Sequence, residues 1–257
     1  MSISGSAKLR LLLAIVLFGT VTLAPVHGAE LAKFKTIYSD NVTGSFALTG
    51  NTNQTCSTVL GEGQDSCAAA RNFQGSLGQL NNEAHVMRDV ELPVGAVDRS
   101  LIFNASANEI SIPRNSQVIK AFLFWFGTLE IPASADFGVA PEDDSKADQV
   151  IFAGPGQDCL PVSECVVSGT QETESLGVGI SGYYASVADV TNRVLSQQSG
   201  WQTSGTAQSA KYTVANVQAA QGKGTSAGWS LIVVYANAGE PLQHIELQSG
   251  LALIAPR

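Results

Sequence analysis

The sequence predicts an all-β protein, an antiparallel β-sandwich of the jelly-roll type with one short helix. The chain of 257 residues is 44% hydrophobic and only 14% charged, with 25 glycines, which favours a β-rich exported domain over a helical cytosolic one. About ten to twelve short β-branched or aromatic segments alternate with polar, glycine-containing loops. Only one segment has helical periodicity, and no repeat of fixed length is present, so we expect a single domain.

The first 28 residues have the three parts of a secretory signal peptide. Lys8 and Arg10 supply the positive start, and residues 11–24 form an apolar run. Because a small residue ends the segment at Gly28, we expect cleavage there and a mature sandwich domain over residues 29–257. The apolar run is shorter than the about 20 residues that span a bilayer. An uncleaved N-terminal anchor is the alternative interpretation.

The charge balance excludes two classes of partner. The chain has 14 basic and 22 acidic side chains, and two of the basic ones lie in the predicted signal peptide, so the mature domain has a net charge of −10. An acidic domain without a basic block is not expected to bind nucleic acid or an anionic membrane surface. No segment after the signal is long and apolar enough to predict a membrane span.

Two segments give the strongest strand signals and are predicted to lie at the centre of a sheet. In residues 117–129 aromatic and aliphatic side chains occupy both alternating faces, and in residues 231–235 an apolar run is bounded by turn-forming residues. Strands that are apolar on both faces are typically covered on both sides. Weaker strand signals lie at 35–38, 45–49, 83–92, 100–103, 108–112, 149–152, 166–173, 177–185, 211–218 and 244–254.

The one predicted helix covers residues 186–195. Its valines recur at the spacing of one helical face, and Gly200 is a suitable stop. Residues 67–71 are predicted to form no more than a short turn.

The four cysteines form two pairs that are close in sequence. Ten residues separate Cys56 from Cys67, and five separate Cys159 from Cys165. In an oxidising compartment these spacings predict two local disulfides. Four cysteines permit three pairings, and the sequential one is expected because its loops cost least to close. Zinc is not expected, because neither pair has the CxxC spacing of a zinc site.

The densest group of carboxylates lies in the loop that follows the first strong strand, at Asp136, Glu142, Asp143, Asp144 and Asp148. Calcium in extracellular proteins is bound by about six to eight oxygen atoms, of which clustered acids can supply several. The Asp-x-Asp-x-Asp-Gly spacing of a regular calcium loop is missing. The two interpretations are a calcium site at Glu142, Asp143 and Asp144, and a solvated acidic loop.

Sequence context gives the three tryptophans different roles. Trp125 and Trp229 lie in the two strong strands and are expected in the core. Trp201 stands between Gly200 and a polar run, so it is the tryptophan expected to be exposed. An exposed tryptophan can stack on a sugar ring, which makes Trp201 the candidate ligand-binding residue.

One short motif matches the GxSxG pattern of serine hydrolases, with Ser226 in the position of the nucleophile. A nucleophile elbow needs an apolar strand before the serine and a helix after it. Here a polar, glycine-rich loop precedes Ser226 and a strand follows it, so the motif is expected to be a simple loop. His85 and His244 are interpreted as isolated surface or packing residues.

Three segments together are familiar: QVIKAFLFWFG at 117–127, YTVANVQ at 212–218, and GWSLIVVY at 228–235 followed by EPLQHIEL at 240–247. From residue 38 onward the chain resembles the N-terminal β-rich domain of large exported bacterial surface proteins, in which tandem Ig-like conserved-repeat modules follow. Asn51 with Cys56, and the Asn81–Asn82 pair, also fit that family. The resemblance implies export, surface placement and a structural or adhesive role, and supplies no catalytic residues. Members of the family continue beyond the point where this chain ends, so we expect a longer protein.

The expected function is therefore that of a non-enzymatic, secreted or cell-surface domain with a structural or adhesive role in the bacterial envelope. Its expected partner is an envelope protein, a host-surface protein or a glycan, and calcium is the one cofactor considered. The alternative is a carbohydrate-binding module, assisted by calcium or not. A third hypothesis is a secreted serine hydrolase that acts through Ser226.

Overall fold

The computed structural model describes residues 28–59, 64–72, 85–90, 101–131, 137–157, 159, 161–176 and 180–254. The predicted signal peptide lies outside the described residues except for Gly28, where the first strand begins. The described residues form fourteen strands, all paired antiparallel, and two short α-helices, which confirms the predicted all-β class. The elements are β1 (Gly28–Thr52), β2 (Gln54–Cys56), α1 (Gln64–Arg71), β3 (Val86–Asp89), β4 (Ala105–Pro113), β5 (Gln117–Thr128), β6 (Gln149–Ala153), β7 (Val166–Ser168), β8 (Thr170–Leu176), β9 (Ile180–Asp189), α2 (Thr191–Gln197), β10 (Gln202–Ser204), β11 (Ala207–Ala215), β12 (Gly222–Lys223), β13 (Ala227–Ala236) and β14 (Leu242–Ile254).

The large sheet contains six strands in the order β14-β1-β13-β5-β9-β8. Both predicted central strands are indeed internal, since β13 lies between β1 and β5, and β5 lies between β13 and β9. In this register Trp229 of β13 lies opposite Trp125 of β5 on one side and opposite Asn51 of β1 on the other. The two tryptophans expected in the core are both buried.

A second sheet packs against the large one and encloses the main core. Its order is β10-β11-β6-β7, with β4 also paired to β11. The rings of Phe152 and Tyr212 stack inside it with their centroids 5.1 Å apart, and they belong to the same buried cluster as Leu123, Tyr184 and Leu231 of the large sheet. The apolar cluster shared by the two sheets makes the molecule a β-sandwich.

The two sheets are also joined along one side by side chains. There β4 lies beside the second half of β1, but no backbone hydrogen bonds pair the two strands. Polar side chains of each strand instead donate hydrogen bonds to backbone carbonyls of the other. The bonds run from Thr49 Oγ1 to the Glu109 carbonyl (2.8 Å), from Asn51 Nδ2 to the Ala107 carbonyl (2.9 Å) and from Asn108 Nδ2 to the Gly50 carbonyl (2.7 Å). Buried and half-buried carbonyls at the edge of each sheet are satisfied in this way.

Both predicted disulfides are present. Cys56 is bonded to Cys67, with 5.6 Å between the Cα atoms, and joins α1 to β2 of a small third sheet ordered β12-β3-β2. Cys159 is bonded to Cys165 and closes the loop between β6 and β7. Two disulfides in one domain indicate that the chain folds in an oxidising environment.

The predicted helix over 186–195 was wrong in its first half. Residues up to Asp189 continue β9, where Ser186 pairs with Trp125 of β5 in the sheet, and the helix α2 begins only at Thr191. The Asp189 carboxylate accepts hydrogen bonds from the backbone N–H and the hydroxyl of Thr191, which ends the strand and starts the helix. A second helix, α1, extends over what was predicted as a short turn.

Candidate functional site

One face of the large sheet packs on the core, and the opposite face, here called the outer face, is rich in apolar side chains. It is defined by Phe46 and Leu48 of β1, Ile232 of β13, and Phe122, Phe124 and Phe126 of β5. Side chains alternate between the two faces of a strand, so the other residues of β5, such as Leu123 and Trp125, point into the core. The phenylalanines of residues 117–129 were expected to be covered, and on this face Phe122 is buried and Phe124 half-buried, whereas Phe126 is exposed.

Three members of the outer face are well exposed. The exposed fraction is 53% for Phe46, 63% for Leu48 and 44% for Phe126. In the register of the sheet, Leu48 is opposite Ile232, which is half-buried, and Ile232 is opposite Phe122, which is buried, so these apolar side chains form one row across three strands that is exposed at its Leu48 end. Large apolar side chains that are exposed together on one face make this face a candidate interaction site.

A glycine lies beside Phe126 on the outer face. The ring of Phe126 lies across Gly228 of the neighbouring strand, and a Cβ atom at Gly228 would be 3.2 Å from two of the ring carbons. An aromatic ring that covers a glycine of the next strand protects backbone that would otherwise face water. Phe126 is thus held flat against the sheet while its outer surface stays exposed.

At the other end of the sheet the outer face is closed. Val42, Val234 and Ile245 form a buried cluster there, because β14 lies beside β1. The Lys120 ammonium lies 5.7 Å from the centre of the Phe122 ring and 2.7 Å from the Asp189 carboxylate, so this end carries a charged rim. Because β14 begins opposite Thr43, its ladder with β1 does not reach Phe46 and Leu48, and these two side chains stay exposed.

A second candidate is a groove of about 350 Å³ on the second sheet. It lies between the loop at Gly156 and the strands β10 and β11, and Glu109 and Lys211, which are directly opposite each other on β4 and β11, line it. The groove offers the hydrogen-bond donors and acceptors that a polar ligand of one or two rings requires. They are the Glu109 carboxylate, the Lys211 ammonium group and the Gln202 amide.

No protein-family model, curated protein or solved structure matches this chain. None of the helices in the described part of the chain has the length and apolar character needed to cross a membrane.

Trp201 is not exposed, and the sequence-based expectation was wrong. Its exposed fraction is 7%, its indole N–H lies 3.2 Å from the Tyr212 hydroxyl, and the two rings meet edge to face with centroids 6.4 Å apart. Its two neighbours in sequence, Gly200 and Gln202, line the groove, whereas Trp201 itself does not. The polar flanks of Trp201 suggested a surface position, but the turn before β10 directs the indole into the core.

The expected calcium site is not formed by the described residues. Asp143 is paired with Lys146, with 2.8 Å between Oδ2 and Nζ, and its Oδ1 accepts a hydrogen bond from Ser145, which together hold the pKa of this carboxyl below its usual value. Glu142 and Asp144 are exposed. Within the described ranges no three His, Cys, Asp or Glu side chains are placed to share a metal ion, and Asp136 lies outside these ranges.

Ser226 lies too far from His244 for this histidine to act as its general base. The serine lies just before β13, whose Gly228 is opposite Thr52 at one end of β1, whereas His244 is opposite Asn41. These two positions on β1 are eleven residues apart, which corresponds to about 35 Å along an extended strand. The other histidine that follows the predicted signal peptide, His85, has an exposed fraction of 3%.

A buried polar cluster beside the third sheet was missed by sequence reasoning. The Asp89 carboxylate accepts hydrogen bonds from Gln221 Nε2 (3.1 Å) and Asn104 Nδ2 (3.4 Å), and burial raises the pKa of Asp89 to about 6. Gln54 is buried beside them, with its amide donating to the Ala220 carbonyl. Isolated polar residues carry no sequence pattern that indicates such a cluster, because it forms only when four separate segments of the chain meet.

Proposed function

We propose that this chain is a secreted or cell-surface domain with a non-catalytic, structural or adhesive role in the bacterial envelope, and that it binds through the outer face of the large sheet. The observation that carries the proposal is that three large apolar side chains, Phe46, Leu48 and Phe126, are exposed on this one face of the large sheet. Apolar side chains of this size form the centre of protein interfaces.

Three further features support export and a surface role. The first 28 residues have the composition of a signal peptide, two disulfides belong to an oxidising compartment, and the strong strands resemble the N-terminal domains of large bacterial surface proteins. Export with cleavage after Gly28 would yield a protein whose N-terminal residue is Ala29. Mass spectrometry of the exported protein tests this point.

The binding surface is tested with two matched triple variants. The first replaces Phe46, Leu48 and Phe126 by serine, and the control replaces three exposed apolar residues elsewhere, Val59, Leu101 and Leu195, by serine. Binding of the labelled proteins to purified cell envelopes and to host cells is measured after circular dichroism has shown that both are folded.

We expect the outer-face variant to lose binding and the control to retain the binding of the parent. Equal binding by the parent and the outer-face variant contradicts the proposal. Equal loss in both variants indicates non-specific apolar adsorption and also contradicts it.

The second candidate function is carbohydrate binding, and the groove lined by Glu109, Gln202 and Lys211 favours it. A glycan array with and without a chelator, repeated with Lys211→Ala and Gln202→Ala, tests it. Glycan binding that both substitutions abolish supports this candidate. The hydrolase hypothesis predicts that an activity-based serine probe labels Ser226, and absence of labelling removes it.

A further inference from the structure

Among the described strands, β14 lies at one edge of the large sheet. It is 13 residues long and pairs with β1 on one side, and among the described residues no backbone hydrogen bond joins its other side to any strand. A long edge strand presents unpaired N–H and C=O groups and is a template for pairing with another chain.

The devices that normally protect such an edge are missing from β14. Between Leu242 and Ile254 there is no proline, no lysine and no arginine, and the only acidic residue is Glu246. The β1–β14 ladder has register shifts, but in each of them β1 holds the additional residue, and from Leu242 to Leu247 the pairing with β1 is unbroken. The free edge is therefore straight over at least six residues.

We propose that two copies of this chain associate by pairing β14 with β14 in antiparallel orientation, with Ile245 on the two-fold axis. This register places Glu246 of each copy opposite His244 of the other, so the pair of unlike groups occurs twice. The inference is independent of the proposed function, because it concerns the sheet edge and not the outer face.

The side chains at positions 244 and 246 favour a second copy of this chain in this register, because the register keeps the two Glu246 carboxylates from facing each other. Glu246 and His244 are both exposed and lie on the same face of β14. A shift of the axis by one residue in one direction places Glu246 opposite Glu246, and in the other direction it places His244 opposite His244. Hydrogen bonds from Gln248 and from Thr36 of β1 lower the pKa of the Glu246 carboxyl, and the His244 ring lies within hydrogen-bond distance of Ser39 and Asn41 of the same strand β1.

The apolar side of the strand also fits this arrangement. On that side Ile245 packs with Val42 and Val234, and Leu247 lies half-buried at the rim of the same cluster. In the proposed pair the two clusters meet across the axis and Leu247 is covered by the other copy. The large sheets of the two copies become one continuous sheet.

Sedimentation velocity of the purified exported protein over a wide range of concentration tests the proposal. The parent is expected to form a dimer, and His244→Glu, which places two glutamates opposite each other at both ends of the pair, is expected to weaken the dimer at least about tenfold. The double variant His244→Glu with Glu246→His exchanges the two groups and is expected to restore dimerisation. Both residues are exposed, and circular dichroism confirms that each variant is folded.

Hydrogen exchange gives an independent measurement on the parent, in which the amides of β14 are expected to gain protection as the concentration rises. Phe126→Ser on the outer face is the control and should dimerise like the parent. A parent that stays monomeric at all concentrations overturns the proposal. A dimer that His244→Glu leaves unchanged, or that the exchanged pair fails to restore, overturns it equally, since another surface or another register then holds the two copies together.

Discussion

The indole N–H of Trp229 donates a hydrogen bond of 2.8 Å to the hydroxyl of Ser106, a residue 123 positions earlier in the chain. Trp229 lies on the central strand of the large sheet and Ser106 lies on β4 of the second sheet. The Ser106 hydroxyl in turn donates to Asn53 Oδ1 over 3.2 Å. A polar chain inside the core thus sets how the two sheets are aligned.

Trp229→Ala is expected to reduce the free energy of unfolding by about 3–5 kcal/mol, because it leaves a large cavity beside Trp125. Ser106→Ala should cost less, on the order of 1–3 kcal/mol, because the buried indole N–H is left without its partner. Urea unfolding followed by fluorescence measures both. A Trp229→Ala protein that is exported and unfolds at the urea concentration of the parent would show that the centre of the fold lies elsewhere.

The half-buried carboxyl of Asp89 should make stability depend on pH. Burial raises its pKa from 3.8 to about 6, with Glu142 adding to the rise, while hydrogen bonds from Asn104 and the charge of Arg88 oppose it. The folded state therefore favours the protonated form. This contribution to stability is complete below about pH 4 and is lost as the pH rises through about 6.

Asp89→Asn keeps the shape of the side chain and removes the titration. We expect the unfolding free energy of the parent to fall, relative to that of the variant, by on the order of 1–3 kcal/mol between pH 4 and pH 7. Urea titrations at several pH values measure the difference. Parallel pH curves for the two proteins would mean that Asp89 ionises in the folded state as it does in water.

Loss of either disulfide should destabilise the domain by about 2–3 kcal/mol, because the unfolded chain gains freedom. The Cys56–Cys67 bond spans 11 positions and the Cys159–Cys165 bond spans 6, so the first is expected to contribute slightly more. Paired alanine variants, studied by urea unfolding, compare the two. Full stability in both paired variants would contradict this prediction.

Removal of calcium is expected to leave the melting temperature unchanged. The Asp143 carboxylate is already occupied by Lys146 and Ser145, and a metal ion would have to displace both. Differential scanning calorimetry with added calcium and with a chelator measures this. A melting temperature that rises with calcium would require a site formed with residues outside the described ranges.

Trp201→Ala is expected to lower stability, because the indole packs on Tyr212 in the core. Lys211→Ala in the adjacent groove serves as its control and should leave stability unchanged, since Lys211 is exposed. Thermal unfolding of the two variants measures the contrast. A Trp201→Ala variant that melts with the parent but loses a glycan ligand would restore the surface role expected from the sequence.

The sequence by itself determined those features that depend on neighbouring residues. Alternating apolar side chains in 117–129 and the β-branched run at 231–235 predicted internal strands, because strand formation and burial both follow from a period of two. The cysteine spacing predicted both disulfides, because short loops close at the lowest entropic cost.

Tertiary structure alone decided what depends on segments distant in the chain. Pairing with Trp125 kept Ser186 in a strand where local periodicity predicted a helix, and packing on Tyr212 buried Trp201 despite its polar neighbours. The same holds for the outer face: alternation showed that Phe126 and Trp125 point in opposite directions, but not which of them the second sheet would cover. That choice depends on where β4, β6 and β11 pack, because burial is a property of the assembled sheets and no single strand encodes it.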